Sequence, residues 1–140
     1  MSHTYTSIWL HFVFGTKKRD FLIEDNWKRK LFLHIQSNAK QKGIHVDFIN
    51  GVEDHIHLLV APKTTQSPAL IARLLKGESS RWINKQQLCL QPFKWQIGYS
   101  VFSVSRQNLD RVRNYIRKQE EHHADGLTFS EELNQLISYL

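Results

Sequence analysis

The segment "DHIHLLV", residues 54–60, constrains the fold more than any other part of the sequence. Its aliphatic and β-branched residues predict a strand, in which successive side chains point to opposite faces of a sheet. His55 and His57 therefore point to one face, while Ile56 and Leu58 point to the other and pack in the core. The run requires a sheet with one apolar face and one face that carries imidazoles.

The rest of the chain alternates strand and helix signals. The predicted elements are a strand over 4–16, a helix over 24–42, strands over 44–52 and 55–61, a helix over 68–85, a strand over 96–104, and helices over 106–123 and 130–138. This order matches the ferredoxin-like split βαβ pattern. The sequence thus predicts one α+β domain over 1–140, with an antiparallel sheet, helices on one face and a tyrosine-bearing C-terminal helix.

Local signals support several of these boundaries. The first helix has apolar residues at four-residue spacing and a glycine at its end: Trp27, Leu31, Ile35, Ala39 and Gly43. Ser67 and Pro68 are an N-cap and first-turn pair for the second helix, and Asn50-Gly51 suggests a turn or bulge. Glu78 falls on the apolar side of the second helix, where it either pairs with a base or lies near an active site.

Composition narrows the classes of partner. The 140 residues include 19 Lys and Arg against 13 Asp and Glu, a net charge of +6, which favours polyanions and nucleic acid first. No apolar run approaches the roughly 18 residues that span a bilayer, and the N-terminus lacks signal-peptide regions. The single cysteine, Cys89, cannot form an intrachain disulfide. We expect a cytoplasmic protein, associated with the nucleoid during its action, with no membrane partner.

The histidine pair is a candidate metal site. In a strand the two Cβ atoms lie roughly 6–7 Å apart, so both imidazoles can converge on one cation, with Asp54 as an orienting partner. Two histidines are too few for a closed zinc site, so an open catalytic site fits better. Histidine-triad hydrolases and two-histidine phosphoesterases both fit poorly, because position 59 is a leucine. The alternative interpretation is a pair of satisfied polar residues at a strand end.

The segment "RNYIRKQEEHH", residues 113–123, is a candidate source of a further metal ligand and of a nucleophile. Tyr115 and Gln119 are four residues apart, hence on one helix face, and His122 continues the stripe. An amide oxygen suits a hard cation. A phenol with a pKa near 10 is a poor nucleophile unless a cation polarises its target. The alternatives are ordinary packing for Tyr115 and a solvated position for Gln119.

Four segments in this order resemble the one-tyrosine HUH transposases, which comprise TnpA-type insertion-sequence transposases and their REP-associated relatives. HUH denotes histidine, hydrophobic residue, histidine. The matching segments are "DHIHLLV" at 54–60, "LLKGESSRWIN" at 74–84, "WQIGYSVFSVS" at 95–105 and "VRNYIRKQEEHH" at 112–123. The resemblance covers most of residues 4–123, whereas the extension 124–140 has no counterpart and receives no role.

The resemblance implies a homodimer that acts on single-stranded DNA near hairpins. Tyr115 would attack the phosphate, form a 5′-phosphotyrosine link and release a 3′-OH, and His55, His57 and Gln119 would hold Mg²⁺ or Mn²⁺. In this family the tyrosine helix often completes the site of the partner subunit. Two other hypotheses are a non-catalytic relative that binds hairpins and a metal-dependent phosphoesterase that hydrolyses nucleotides.

Two groups of basic residues are candidate DNA contacts: Lys17, Lys18 and Arg19 in one loop, and Arg73, Lys76 and Arg81 on or beside the exposed side of the second helix. Such residues contact phosphates, which set affinity and register rather than sequence. Trp95 and Tyr99 are candidate stacking platforms, with core packing as the alternative.

Overall fold

The computed structural model describes residues 3–138. Its elements are β1 (Leu10–Gly15), α1 (Asp25–Gln41), β2 (His45–Val52), β3 (His55–Ala61), α2 (Pro68–Lys85), β4 (Ser100–Ser103), α3 (Leu109–Arg117), α4 (Gln119–Ala124) and α5 (Phe129–Ser138). The strands form one sheet in the order β2-β3-β1-β4, and every neighbouring pair is antiparallel. This topology confirms the predicted ferredoxin-like α+β fold. Within residues 3–138 no helix combines the length and apolar character that crossing a membrane requires.

Helices cover the two faces of the sheet differently. The helices α1 and α2 pack on the face that presents Phe12, Phe14 and Ile56, and together they form the main core. On the opposite face a smaller cluster joins Leu59 of β3 to Leu109 and Ile116 of α3. The face with the imidazoles therefore faces the C-terminal helices.

The predicted boundaries of α1 and α2 are confirmed to within one residue. Gly43 has a φ of 74°, the left-handed conformation that ends a helix and that glycine adopts without strain. Ser67 Oγ accepts a hydrogen bond from the Leu70 amide at 3.1 Å, and Pro68 occupies the first turn of α2. These local signals work because they satisfy backbone groups within a few residues.

The first and last strands in the sequence are shorter than predicted. The strand over 4–16 is β1, Leu10–Gly15, and the strand over 96–104 is β4, Ser100–Ser103. Tyr5 and Ile97, which lie beyond these strands, are exposed. Sequence alternation does not reveal where pairing with a neighbour stops.

The prediction of a turn or bulge at Asn50-Gly51 is wrong in its position. Both residues lie within β2, and the hairpin turn follows at Glu53 and Asp54. A bulge does occur in β2, between Val46 and Phe48. Gly51 is required by close packing, because a Cβ there would lie 2.5 Å from the His55 carbonyl oxygen.

The helix predicted over 106–123 is divided at Lys118, which has a φ of −92° and a ψ of 19°. The amide of Asn50 donates hydrogen bonds of 3.0 Å to the carbonyl oxygens of Ile116 and Arg117. These carbonyls would otherwise accept bonds from the next turn of a continuous helix. The break lies between Tyr115 and Gln119, so the two do not share one continuous helix.

We expect Asn50→Ala to lower the free energy of unfolding by about 1–3 kcal/mol, because the partly buried carbonyl of Ile116 and the exposed carbonyl of Arg117 lose their donor. Urea denaturation followed by circular dichroism measures the change. Asn134→Ala, at an exposed position of α5, is the matched control and should change stability by about 0.5 kcal/mol or less. Equal effects of the two substitutions would contradict a special role for Asn50.

Candidate metal and nucleophile site

The two histidines of β3 lie fully buried on the face that faces the C-terminal helices. In the register of the sheet, His55 pairs with Gly15 and His57 pairs with Val13 of β1. The alternation of β3 thus places both imidazoles on one face, as the sequence predicted. Their ring centroids are 5.2 Å apart, which confirms that they converge.

Each imidazole is held through its Nδ1 atom. His55 Nδ1 lies 2.7 Å from Asp54 Oδ1, and His57 Nδ1 lies 2.8 Å from Nε2 of His11 on β1. Both Nε2 atoms therefore point toward a common centre. Such partners fix the tautomer and orientation of a metal-binding imidazole. The contact agrees with the orienting role predicted for Asp54, whereas the equivalent role of His11 was missed.

Removing the Asp54 carboxylate should weaken metal binding. We expect Asp54→Ala to lower the affinity for Mn²⁺ by about 10–100-fold, because the His55 ring loses the partner that orients it. Titration of Mn²⁺ followed by electron paramagnetic resonance measures free and bound ion. The matched control is Asp47→Ala, since Asp47 contacts Arg113 and His45 rather than the site. Unchanged affinity in Asp54→Ala would refute the orienting role.

A carboxylate from α5 lies beside the Nε2 atoms of both histidines. Glu132 is fully buried, and its Oε1 lies 2.8 Å from His55 Nε2, 3.2 Å from His57 Nε2 and 3.1 Å from His123 Nε2. The residue belongs to the extension 124–140, to which the sequence assigned no role. That extension therefore contributes directly to the site.

The same carboxylate links the tyrosine and the glutamine. Its Oε2 accepts a hydrogen bond from the Tyr115 hydroxyl and a second, of 2.8 Å, from the Gln119 amide. The other end of that amide faces the histidines, with Gln119 Oε1 3.3 Å from His55 Nε2. All four predicted site residues are thus brought together within one chain, despite the break in the helix.

The first turn of α5 is anchored beside the histidines. The Phe129 ring stacks on His55 with centroids 4.2 Å apart and an angle of 6°. Gly15 leaves the space for that ring, because a Cβ there would lie 2.7 Å from Phe129 Cε2. Arg19 covers the outer side of Phe129 at 5.5 Å and donates a hydrogen bond to Ser130.

Burial and hydrogen bonds with the Glu132 carboxylate shift the pKa values of the groups in the site. Burial raises the pKa of Glu132, but hydrogen bonds from His123, His55 and His57 outweigh it and hold that pKa well below its ordinary range. Burial likewise opposes a charge on His55, yet the bonds to Asp54 and Glu132 raise its pKa. Burial lowers the pKa of His57. Burial, together with a smaller effect of repulsion from His57, lowers the pKa of His11 to about 3. His11 is therefore neutral near pH 7, and a single proton is shared in the 2.8 Å hydrogen bond between its Nε2 and His57 Nδ1.

The donor chemistry fits a divalent cation. Ligand atoms of His55, His57 and Glu132 all lie within 4.8 Å of one another, and the amide oxygen of Gln119 adjoins them. Imidazole, carboxylate and amide donors are common ligands of divalent metals, with the oxygen ligands suited to Mg²⁺ and Mn²⁺. The site can therefore hold the ion that the sequence motif predicted.

Three site residues were absent from the predicted set: His11, His123 and Glu132. The sequence carries a weak signal for two of them. His11 is next to Phe12 in a strand, so its side chain points to the face opposite the apolar one. Glu132 lies three residues after Phe129 on an amphipathic helix. Neither signal identifies the partner across the fold.

The predicted DNA contacts are dispersed. Lys17, Lys18 and Arg19 are exposed in the loop after β1, and Arg19 reaches Phe129 at the rim of the site. The α2 residues lie on the opposite side of the sheet, where Arg73 and Arg81 are exposed. Lys76 is half-buried, contrary to its predicted exposure, and donates to the carbonyls of Gln96 and Gly98 at 2.7 Å.

The structure decides the open alternatives for Trp95 and Glu78, whereas the stacking role of Tyr99 stays a prediction. Trp95 is buried in the core and donates to Ser79 Oγ at 2.9 Å, whereas Tyr99 is 40% exposed. Glu78 pairs with His34 of α1 and with Arg81, so it has a structural partner away from the histidine pair.

A cleft of about 520 Å³ opens beside the tyrosine. It lies between β4, α3 and α5, and its lining includes His11, Phe102, Arg111, Tyr115 and Gln135. Ligand clefts commonly have volumes of about 300–1,000 Å³. The Tyr115 end of the site therefore adjoins an open, partly polar groove.

Comparison with known proteins finds similarity to transposases in both sequence and fold. A family model described as IS200-like transposase matches residues 4–119. The fold is similar to a transposase candidate from Deinococcus radiodurans R1, with 23% identity, a TM-score of 0.67 and coverage of 85% of this chain and 96% of the other. It is also similar to a REP-associated tyrosine transposase bound to a REP hairpin, with 13% identity, a TM-score of 0.62 and coverage of 91% and 76%. No curated protein matches the sequence.

Proposed function

Because the chain belongs to the IS200-like transposase family, we propose that it cleaves and rejoins single-stranded DNA through a covalent tyrosine intermediate. The observation that carries the proposal is the convergence of Tyr115, Gln119, His55 and His57 on one buried centre. A protein that only binds hairpins has no need of this set. The proposed metal ligands are His55, His57 and Gln119, and the proposed nucleophile is Tyr115.

The reaction would begin with attack of the Tyr115 oxygen on the scissile phosphorus. The bond from phosphorus to the 3′ oxygen breaks, which leaves a 5′-phosphotyrosine and a 3′-OH that can attack a second phosphotyrosine. The chemistry that a bound Mg²⁺ or Mn²⁺ supplies is neutralisation of the charge that develops on the phosphate. Asp54 and His11 keep the two imidazoles aligned, and Glu132 holds the phenol beside them.

The substrate would reach the phenol through the cleft beside it. Arg111 lines that cleft, whereas the loop of Lys17, Lys18 and Arg19 adds positive charge beside Phe129, on the His55 side of the site. Recognition of a DNA hairpin is proposed from the similar transposase that is bound to a REP hairpin. A role of Arg73, Lys76 and Arg81 in DNA binding stays a prediction, on a more distant surface.

The test uses a labelled single-stranded hairpin oligonucleotide, the full chain and Mg²⁺ or Mn²⁺, followed by a denaturing gel. A labelled band at the mass of protein plus DNA supports the proposal. Free cleavage products without such a band would instead indicate a phosphoesterase. Binding with no reaction would indicate a non-catalytic relative.

The homodimer also remains a proposal, drawn from the family resemblance. Since Tyr115 meets the histidine pair of its own chain, we propose that the site is complete in cis. Mixing Tyr115→Phe protein with His57→Ala protein tests this arrangement. Recovery of adduct formation in the mixture would show that the tyrosine acts in trans.

A further inference from the structure

We infer that Glu132 of α5 is a further protein ligand of the divalent cation and that it ties the ion to the nucleophile. This inference rests on the proposed function for its meaning in catalysis. It adds to His55, His57 and Gln119 a carboxylate from a segment that lies beyond the family match at residues 4–119.

The distances fit adjacent positions around one ion. Ligands that lie about 2.0–2.1 Å from a Mg²⁺ ion at right angles are roughly 3 Å apart. Glu132 Oε1 lies 2.8 Å from His55 Nε2 and 3.2 Å from His57 Nε2, and Gln119 Oε1 lies 3.3 Å from His55 Nε2. Each of these three distances fits a pair of neighbouring ligands, and ligand atoms of His55, His57 and Glu132 all lie within 4.8 Å of one another.

The two carboxylate oxygens face different partners. Oε1 faces the imidazole nitrogens, whereas Oε2 accepts hydrogen bonds from the Tyr115 hydroxyl and the Gln119 amide. Glu132 can therefore bind the ion with one oxygen while the other fixes the phenol beside it. The same bond to the Gln119 amide turns the carbonyl oxygen of that residue toward His55.

Burial of this carboxylate is itself informative. Glu132 is fully buried on a helix face where an apolar residue would avoid the loss of hydration. The stacking of Phe129 on His55 holds the start of α5 against the histidine pair. The position of the carboxylate is thus built into the fold.

The experiment measures Mn²⁺ binding to the full chain without DNA, by electron paramagnetic resonance. Glu132→Gln, which keeps the size of the side chain, should bind Mn²⁺ more than about tenfold more weakly, since loss of even an orienting partner has that effect. The matched control is Glu131→Gln, because Glu131 is the exposed neighbour on the same helix and contacts only Thr128 among the described hydrogen bonds. Its affinity should equal that of the unmodified chain.

Unchanged or tighter Mn²⁺ binding by Glu132→Gln would overturn the inference, and tighter binding with faster cleavage would show that Glu132 excludes the ion. If Glu132→Gln does not fold, an anomalous difference map of the unmodified protein with Mn²⁺ decides the matter. A peak bonded to Glu132 Oε1 supports the inference, and a peak bonded only to the other ligands, or none, overturns it. Failure of the proposed function is distinguishable, because it would leave Glu132-dependent Mn²⁺ binding but no covalent DNA adduct.

Discussion

Replacement of Tyr115 by phenylalanine should abolish the covalent protein–DNA adduct while the protein still binds hairpin DNA. The substitution removes the oxygen that would bond to phosphorus. The ring contacts with His57, at 5.8 Å, and His122, at 5.0 Å, remain available to phenylalanine. We expect the loss of adduct formation to be at least about a thousandfold, as for other nucleophiles in multi-residue sites.

A denaturing gel measures the adduct, and fluorescence anisotropy measures binding of the same labelled oligonucleotide. Tyr99→Phe is the matched control, because Tyr99 lies near Lys76 and Phe12 on the other face of the sheet. That variant should form the adduct at the rate of the unmodified chain. Attachment of the labelled strand to the Tyr115→Phe variant would contradict the assignment of the nucleophile.

Replacement of His57 by alanine should eliminate DNA cleavage and weaken Mn²⁺ binding by more than about tenfold. His57 is fully buried, with Nε2 3.2 Å from Glu132 Oε1 and Nδ1 2.8 Å from His11 Nε2. Alanine therefore removes a proposed ligand and leaves both the carboxylate and His11 without that partner. Some loss of stability follows from the buried cavity and the unpaired nitrogen.

Circular dichroism during heating shows whether the variant is folded at the assay temperature, and light scattering shows whether its oligomeric state is unchanged. The control is His45→Ala on β2, where the imidazole side chain is 65% exposed. That change should leave Mn²⁺ affinity and cleavage unaltered. Full Mn²⁺ affinity together with normal cleavage in His57→Ala would remove His57 from the site.

Much of the fold was predictable because its signals are local. The alternation in β3 separates His55 from Ile56, and the cap at Ser67 with its following proline starts α2. Each of these features depends on residues within a few positions of one another. The order of the elements then leaves few ways to form one antiparallel sheet.

Errors arose where a distant residue changes local structure. The continuous helix predicted over 106–123 ends at Arg117 because Asn50, on β2, binds its terminal carbonyls. The first and last strands are shorter than their predicted ranges, since strand pairing covers only Leu10–Gly15 of β1 and Ser100–Ser103 of β4. Neither event leaves a periodic pattern in the residues that it affects.

The sequence by itself determined the two faces of the sheet and the four residues proposed for chemistry: His55, His57, Tyr115 and Gln119. Only the tertiary structure placed Glu132 among them and made His11 the partner of His57. The physical reason is the distance along the chain over which each interaction acts. Periodicity and caps act over a turn or a strand pair, whereas Glu132 meets His55 across 77 residues of chain, through packing that local patterns do not encode.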